Sequence, residues 1–175
     1  CGIFVQKSTC REGNLDLILI ACCGEKSPGG SPEYSGSHVQ SYLSASAHLR
    51  LSTWWKALAN IKGLPLGPDL GEPQPHPAIL FKPAYLRYTG KVYQRSNFPL
   101  LYPHVKNKKV LIISAFYGMV DAGDPIRDYD MKMDETLSTG RWLSTWWKKI
   151  GLGRMVEEYI LSLKPERVYD LLSNS

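Results

Sequence analysis

Two uninterrupted apolar runs, LILI at Leu17 to Ile20 and VLII at Val110 to Ile113, constrain the fold more than any other feature. A strand with one wet face alternates polar and apolar side chains, whereas these runs are apolar at every position and ask for cover on both faces. They are too short for a membrane span, which needs roughly 18 consecutive apolar residues. Asp16–Cys23 and Lys109–Ala115 are therefore expected as buried strands, the first of them central. Arg167–Leu172 (RVYDLL) reads as a third buried strand.

Helical spacing fills the intervals. Val39, Leu43, Ala47, Leu51, Trp55 and Leu58 recur at three and four, which predicts a helix from about His38 to Lys62. Leu143 to Leu163 reads as a second helix, with Ser144 or Thr145 as N-cap and Pro165 as its stop. Residues 63–77 hold five prolines and three glycines and are expected as a connecting loop. Strand, helix, strand, helix, strand gives the fold class: α/β, a mostly parallel or mixed central sheet flanked by helices. A length of 175 residues with 43% hydrophobic content suits one domain spanning 1–175. Residues 1–14 are expected as a peripheral extension, and a start without Met and an end just past the third strand read as a trimmed chain.

Charge and cysteines narrow the function. The net charge is +5, but no Asp or Glu occurs from Pro73 to Lys109, where Lys82, Arg87, Lys91, Arg95, Lys106, Lys108 and Lys109 fall. Between Asp121 and Glu135 the sign reverses. A basic block beside an acidic one directs an anionic partner to the basic part. Four cysteines without a CxxC pair or a signal peptide fit a cytoplasmic home rather than a disulfide scaffold. The histidines lie at irregular gaps, so no metal site or other cofactor is implied.

Four segments could carry chemistry. In ACCGEKSPGG a Gly/Ser loop after a buried strand can aim backbone N–H groups at an anion, with Lys26 as a mobile charge; the GK[ST] order of a Walker loop is absent. An ordinary surface loop is the alternative. In FKPAYLRYTGKVYQRSNFPLLYPHVKNKK aromatic rings alternate with cations, which suits base stacking and phosphate tracking, or a half-buried tyrosine core with a solvated basic face. In ISAFYGMVDAGDPIRDYDMKM, Gly118 after a strand would let backbone approach a ligand, and Asp124 or Asp128 could act in acid–base chemistry; a solvated turn with Arg127 pairing one carboxylate is the favoured reading of these acids. The opening CGIF resembles, over four residues only, the N-terminal Cys1 nucleophile of glutamine amidotransferases.

The hexapeptide LSTWWK occurs at Leu51–Lys56 and again at Leu143–Lys148, but the flanks diverge at once, so it is not a duplicated module. The second copy reads as a helix entrance. The first reads as a packing patch inside a longer helix.

Taken in order, LILIACCGEKSPG, PAILFKPAYLRYTGKVY, ISAFYGMVDAGDPIRDYDMKM, LSTWWKKI and VYDLLSNS make the chain resemble the YaaA peroxide-stress family and its related small domains over roughly 150 residues. CGEKSPGG departs from the family's commoner Ser-Pro-Ala-Lys loop, and Asp130 stands where YaaA itself has Arg. The resemblance implies a cytosolic α/β protein with a positively charged cleft, connected with oxidative stress and DNA binding and without an established reaction. The implied cleft draws on Lys26, Ser27, Tyr88, Thr89, Gly90, Ser114, Tyr117, Gly118, Arg127, Tyr129 and Ser173. A DNA-binding site is accordingly expected at Lys26, Ser27, Arg87, Tyr88, Thr89, Gly90, Lys91, Arg95, Tyr117, Gly118, Arg127 and Tyr129. Lys26, Arg87, Lys91 and Arg95 would meet phosphates, and Tyr88 and Tyr117 would stack on or position bases. The alternatives are an enzyme acting on a nucleotide or nucleobase at the same cleft, and remotely the amidotransferase. DNA or a nucleotide is the expected partner, and a membrane is not.

Overall fold

A computed structural model describes residues 15–172. The 1–14 extension, with Cys1 and its CGIF start, and Ser173 lie outside the described residues.

The apolar runs become the inner strands of a four-stranded sheet. β1 (Asp16–Ala21) lies between β3 (Lys108–Ser114) and β6 (Arg167–Asp170), parallel to both, and β4 (Gly118–Asp121) closes the far side antiparallel to β3. The fold is thus α/β with a mixed sheet, and β1 is internal as its composition demands. Leu17, Leu19, Leu111 and Ile112 are buried. β6 departs from expectation, because all four of its residues are exposed. It pairs on one side only, and Val168 and Tyr169 remain in contact with water.

A second, two-stranded sheet pairs β2 (Phe81–Pro83) with β5 (Pro125–Arg127). Three short helices, α2 (Ala84–Arg87), α3 (Lys91–Arg95) and α4 (Phe98–Leu101), fill the basic segment before β3. The long helix α1 (Ala45–Lys62) begins later than its periodicity suggests: Val39–Tyr42 forms a separate 3-10 turn, and the Ser44 side chain accepts the Ala47 N–H as the cap. Gly63 ends it in the left-handed conformation, the usual glycine stop. Ala47, Leu51, Trp55 and Leu58 face the core as expected.

The expected helix over 143–163 is two helices, α5 (Leu143–Ile150) and α6 (Leu152–Leu163), broken at Gly151 with φ +89°. α5 starts at Leu143, ahead of both proposed caps. Its N-cap is Trp142, without a side-chain cap bond, so Ser144 and Thr145 lie inside the first turn.

The two LSTWWK copies meet. Trp54 stacks on Trp146 at 5.2 Å, and the following tryptophan of each copy donates its indole N–H to the tight turn between β3 and β4: Trp55 to the Tyr117 carbonyl at 2.8 Å, Trp147 to the Ala115 carbonyl at 2.9 Å. Buried carbonyls that lack sheet partners are satisfied this way. None of the described helices is long and apolar enough to cross a membrane.

Candidate functional site

After β1 the chain passes Cys22 and Cys23 into the loop bearing Lys26. That loop is laced to the segment before α3: Lys26 bridges Tyr88, the Ser27 N–H donates to the Arg87 carbonyl at 2.8 Å, and the Thr89 N–H donates to the Glu25 carbonyl at 3.0 Å. Gly90, the N-cap of α3, donates its N–H to the Cys23 sulfur at 3.1 Å. A Cβ at Gly90 would lie 2.7 Å from the Cys23 Cβ, so glycine is what permits this approach. Lys26, Ser27, Thr89 and Gly90 therefore belong to one assembly, and α3 extends Lys91 and Arg95 from it, both exposed. Ser27 is itself engaged, donating to the Leu86 carbonyl at 2.7 Å and accepting from Lys82 at 3.0 Å.

Beneath the Lys26 loop lies a closed triangle of hydroxyls. Tyr88 and Tyr129 are 2.7 Å apart, Ser114 is 2.9 Å from Tyr129 and 3.4 Å from Tyr88, and Ser114 also accepts the Tyr117 N–H at 3.1 Å. Burial pushes the Tyr88 and Tyr129 phenols well above their ordinary value, so both keep their protons. The Lys26 ammonium stands 4.0 Å from the Tyr129 ring centroid and 5.8 Å from that of Tyr88, a cation–π contact. Its pKa is lowered by burial, against the opposing pull of Cys22, Cys23, Asp128 and Asp130. Burial raises the thiols of Cys22 and Cys23, which disfavours a thiolate nucleophile.

Several expected contact residues are inside. Arg87 is fully buried, and its guanidinium donates to the carbonyls of Ser27 at 2.6 Å, Leu80 at 2.8 Å and Ile126 at 3.3 Å. A guanidinium so committed does not reach a phosphate. Arg127 is buried against the Asp69 carboxylate, and the Tyr117 hydroxyl donates to the same carboxylate at 2.6 Å. Tyr117 packs edge-on against Trp55 and Phe116, so neither it nor Tyr88 offers a free face for a base. Gly118 does make room, with φ +77°, but for protein: a Cβ there would sit 2.7 Å from the Trp147 ring.

The carboxylates divide similarly. Asp124 is buried and accepts from the Ser37 hydroxyl at 2.9 Å, the Asp121 N–H at 2.9 Å and the His38 N–H, which ties the turn before α1 to β4. That removes it as a free acid or base. Asp128 and Asp130 stay exposed.

A cavity of about 620 Å³ opens where β1, β3 and β6 end, as parallel strands dictate. Cys22, Cys23, Met131, Lys132, Asp134 and Lys148 line it. Its wall includes Cys23, the residue that also touches Gly90. Sequence reasoning missed Lys148, although it closes the second LSTWWK copy.

A family model described as "Peroxide stress protein YaaA" matches residues 35–175. No curated protein matches the chain.

Proposed function

Because this chain belongs to the YaaA family of peroxide stress proteins, we propose that it binds DNA through a basic face at the carboxyl end of its sheet, working in the cytoplasm as a single α/β domain. The observation carrying this reading is the placement of Lys26, Lys91 and Arg95. The bridge to Tyr88 sets Lys26 beside the start of α3, and Lys91 and Arg95 lie one turn apart on that helix, exposed and free of ion pairs among the described residues. Thr89 and Gly90 fix the loop geometry. Arg87, Tyr88 and Tyr129 support the Lys26 loop from beneath, holding what touches the backbone rather than touching it, while Tyr117 and Arg127 are committed to Asp69 and Gly118 to Trp147.

Each phosphate neutralised releases counterions, so affinity falls with a log–log salt slope of about −0.9 per contact on duplex DNA. We expect measurable duplex binding near roughly 50 mM salt. Changing Lys91 and Arg95 together to Ala should make the slope shallower by about 2. Absence of binding at low salt, or an unchanged slope in the double variant, refutes the reading.

The strand-end cavity favours a second reading, an enzyme acting on a nucleotide or nucleobase held by Lys132 and Lys148 with Asp134 as the carboxylate; Asp128, the carboxylate expected from the sequence, lines a separate pocket with Arg127. A thermal-shift screen separates the two. Stabilisation by one nucleotide, lost in Asp134→Asn, supports the enzyme.

A further inference from the structure

The aromatic ring most open to a partner stands at the N-terminus of α5, away from the tyrosine-rich segment. Trp142 is 56% exposed, the most exposed aromatic among the described residues. It stands in a second acid-free stretch: from Thr136 to Val156 there is no Asp or Glu, while Arg141, Lys148, Lys149 and Arg154 all occur. None of these four cations forms an ion pair among the described residues.

Trp146 anchors two of them. Lys149 lies 4.9 Å and Arg141 5.8 Å from its ring centroid, while Trp54 covers it by stacking. Beside this stack a groove of about 450 Å³ runs between α1 and α5, with an apolar floor and with Arg50 and Lys149 among its lining residues. Trp54 also lines the groove, and its buried indole N–H has no acceptor. Lys148, on the same helix, lines the strand-end cavity together with Cys23, whose sulfur accepts the Gly90 N–H at the start of α3.

We infer that the α5 face, from Trp142 to the groove beside Trp54, binds single-stranded nucleic acid, with a base stacked on Trp142 and phosphates on Arg141, Lys149 and Arg50. Charge complementarity selects a polyanion. The free ring selects one whose bases are unstacked, since a duplex keeps its base faces to itself. The inference deepens the DNA-binding reading and rests on it for the partner's class, but it uses different residues.

The test is fluorescence anisotropy with a thymidine oligonucleotide of about twelve residues and a duplex of the same length, on the whole chain. Trp142→Ala should weaken single-strand binding about tenfold and leave duplex binding within about twofold, and Trp142→Phe should restore most of the loss. Because Trp142 caps α5 through its backbone alone, circular dichroism should be unchanged. Lys149→Glu should weaken the single strand as well. Unchanged or equal loss on both ligands in Trp142→Ala overturns the inference, as does binding of the duplex alone. Binding lost in Lys91→Glu/Arg95→Glu but untouched by Trp142→Ala leaves the α3 reading standing and removes this one. The reverse pattern does the opposite, and no binding of either ligand removes both.

Discussion

Neighbouring tryptophans in α1 carry opposite hydrogen-bond accounts. Trp55 donates to a buried carbonyl, so Trp55→Phe leaves the Tyr117 oxygen without a partner and should cost about 1–3 kcal/mol. Trp54 has a buried N–H with no acceptor, so Trp54→Phe removes an unmet donor and should lie within about 1 kcal/mol of wild type. Urea denaturation of the pair checks the contrast. Nothing in LSTWWK distinguishes the two residues, because their partners come from the β3–β4 turn and from α5. The same limit applies at Arg87. Its composition reads as a phosphate ligand, yet the carbonyls that enclose it belong to Ser27, Leu80 and Ile126. Lys91 and Arg95, which have no such enclosure, were legible as surface cations.

At the level of elements, the long apolar runs identified β1 and β3 almost to the residue, because burial on both faces leaves no other pattern. β2, β5, α2, α3 and α4 are three to five residues each and carry no period to read. β6 was found but misplaced in depth. Its hold on β1 is electrostatic as well as hydrogen-bonded: Asp16 accepts from Arg167 at 2.9 and 3.0 Å and from Lys108 at 2.6 Å. The hydrogen bonds from Lys108 and Arg167 hold the Asp16 carboxyl below its ordinary value. A depressed carboxyl stabilises the fold above its unfolded pKa of roughly 4, and that contribution drains away as the pH falls through the folded value. Asp16→Asn should therefore weaken β6 at neutral pH and flatten the loss of stability below about pH 4. Hydrogen exchange of residues 167–170 across pH reads this, and an unchanged acid profile would contradict it.

Across the whole molecule, the proline-rich stretch over 63–77 is more than a connector. Its turn at Pro68–Leu70 buries Asp69 against Arg127 of β5 and the Tyr117 hydroxyl from the β3–β4 turn. Three distant parts of the chain converge on one carboxylate. Asp69→Ala would leave a buried guanidinium without its counter-ion and should destabilise by about 3–5 kcal/mol, measured by thermal or denaturant unfolding. The candidate site was half legible for the same reason. Strand-end loops and a basic helix announce themselves in composition, but whether a tyrosine lies on that face or under it depends on contacts tens of residues away. The tryptophan surface went unnoticed because a repeated hexapeptide looked like packing, and one copy is indeed mostly that.

Trp54 and Trp146, stacked at 5.2 Å with their planes 26° apart, are near enough for their excited states to couple. Such a pair gives a split circular-dichroism band distinct from the helical signal. The protein thus carries an optical gauge of whether α1 and α5 are docked, readable without any label as the chain unfolds or takes up a ligand.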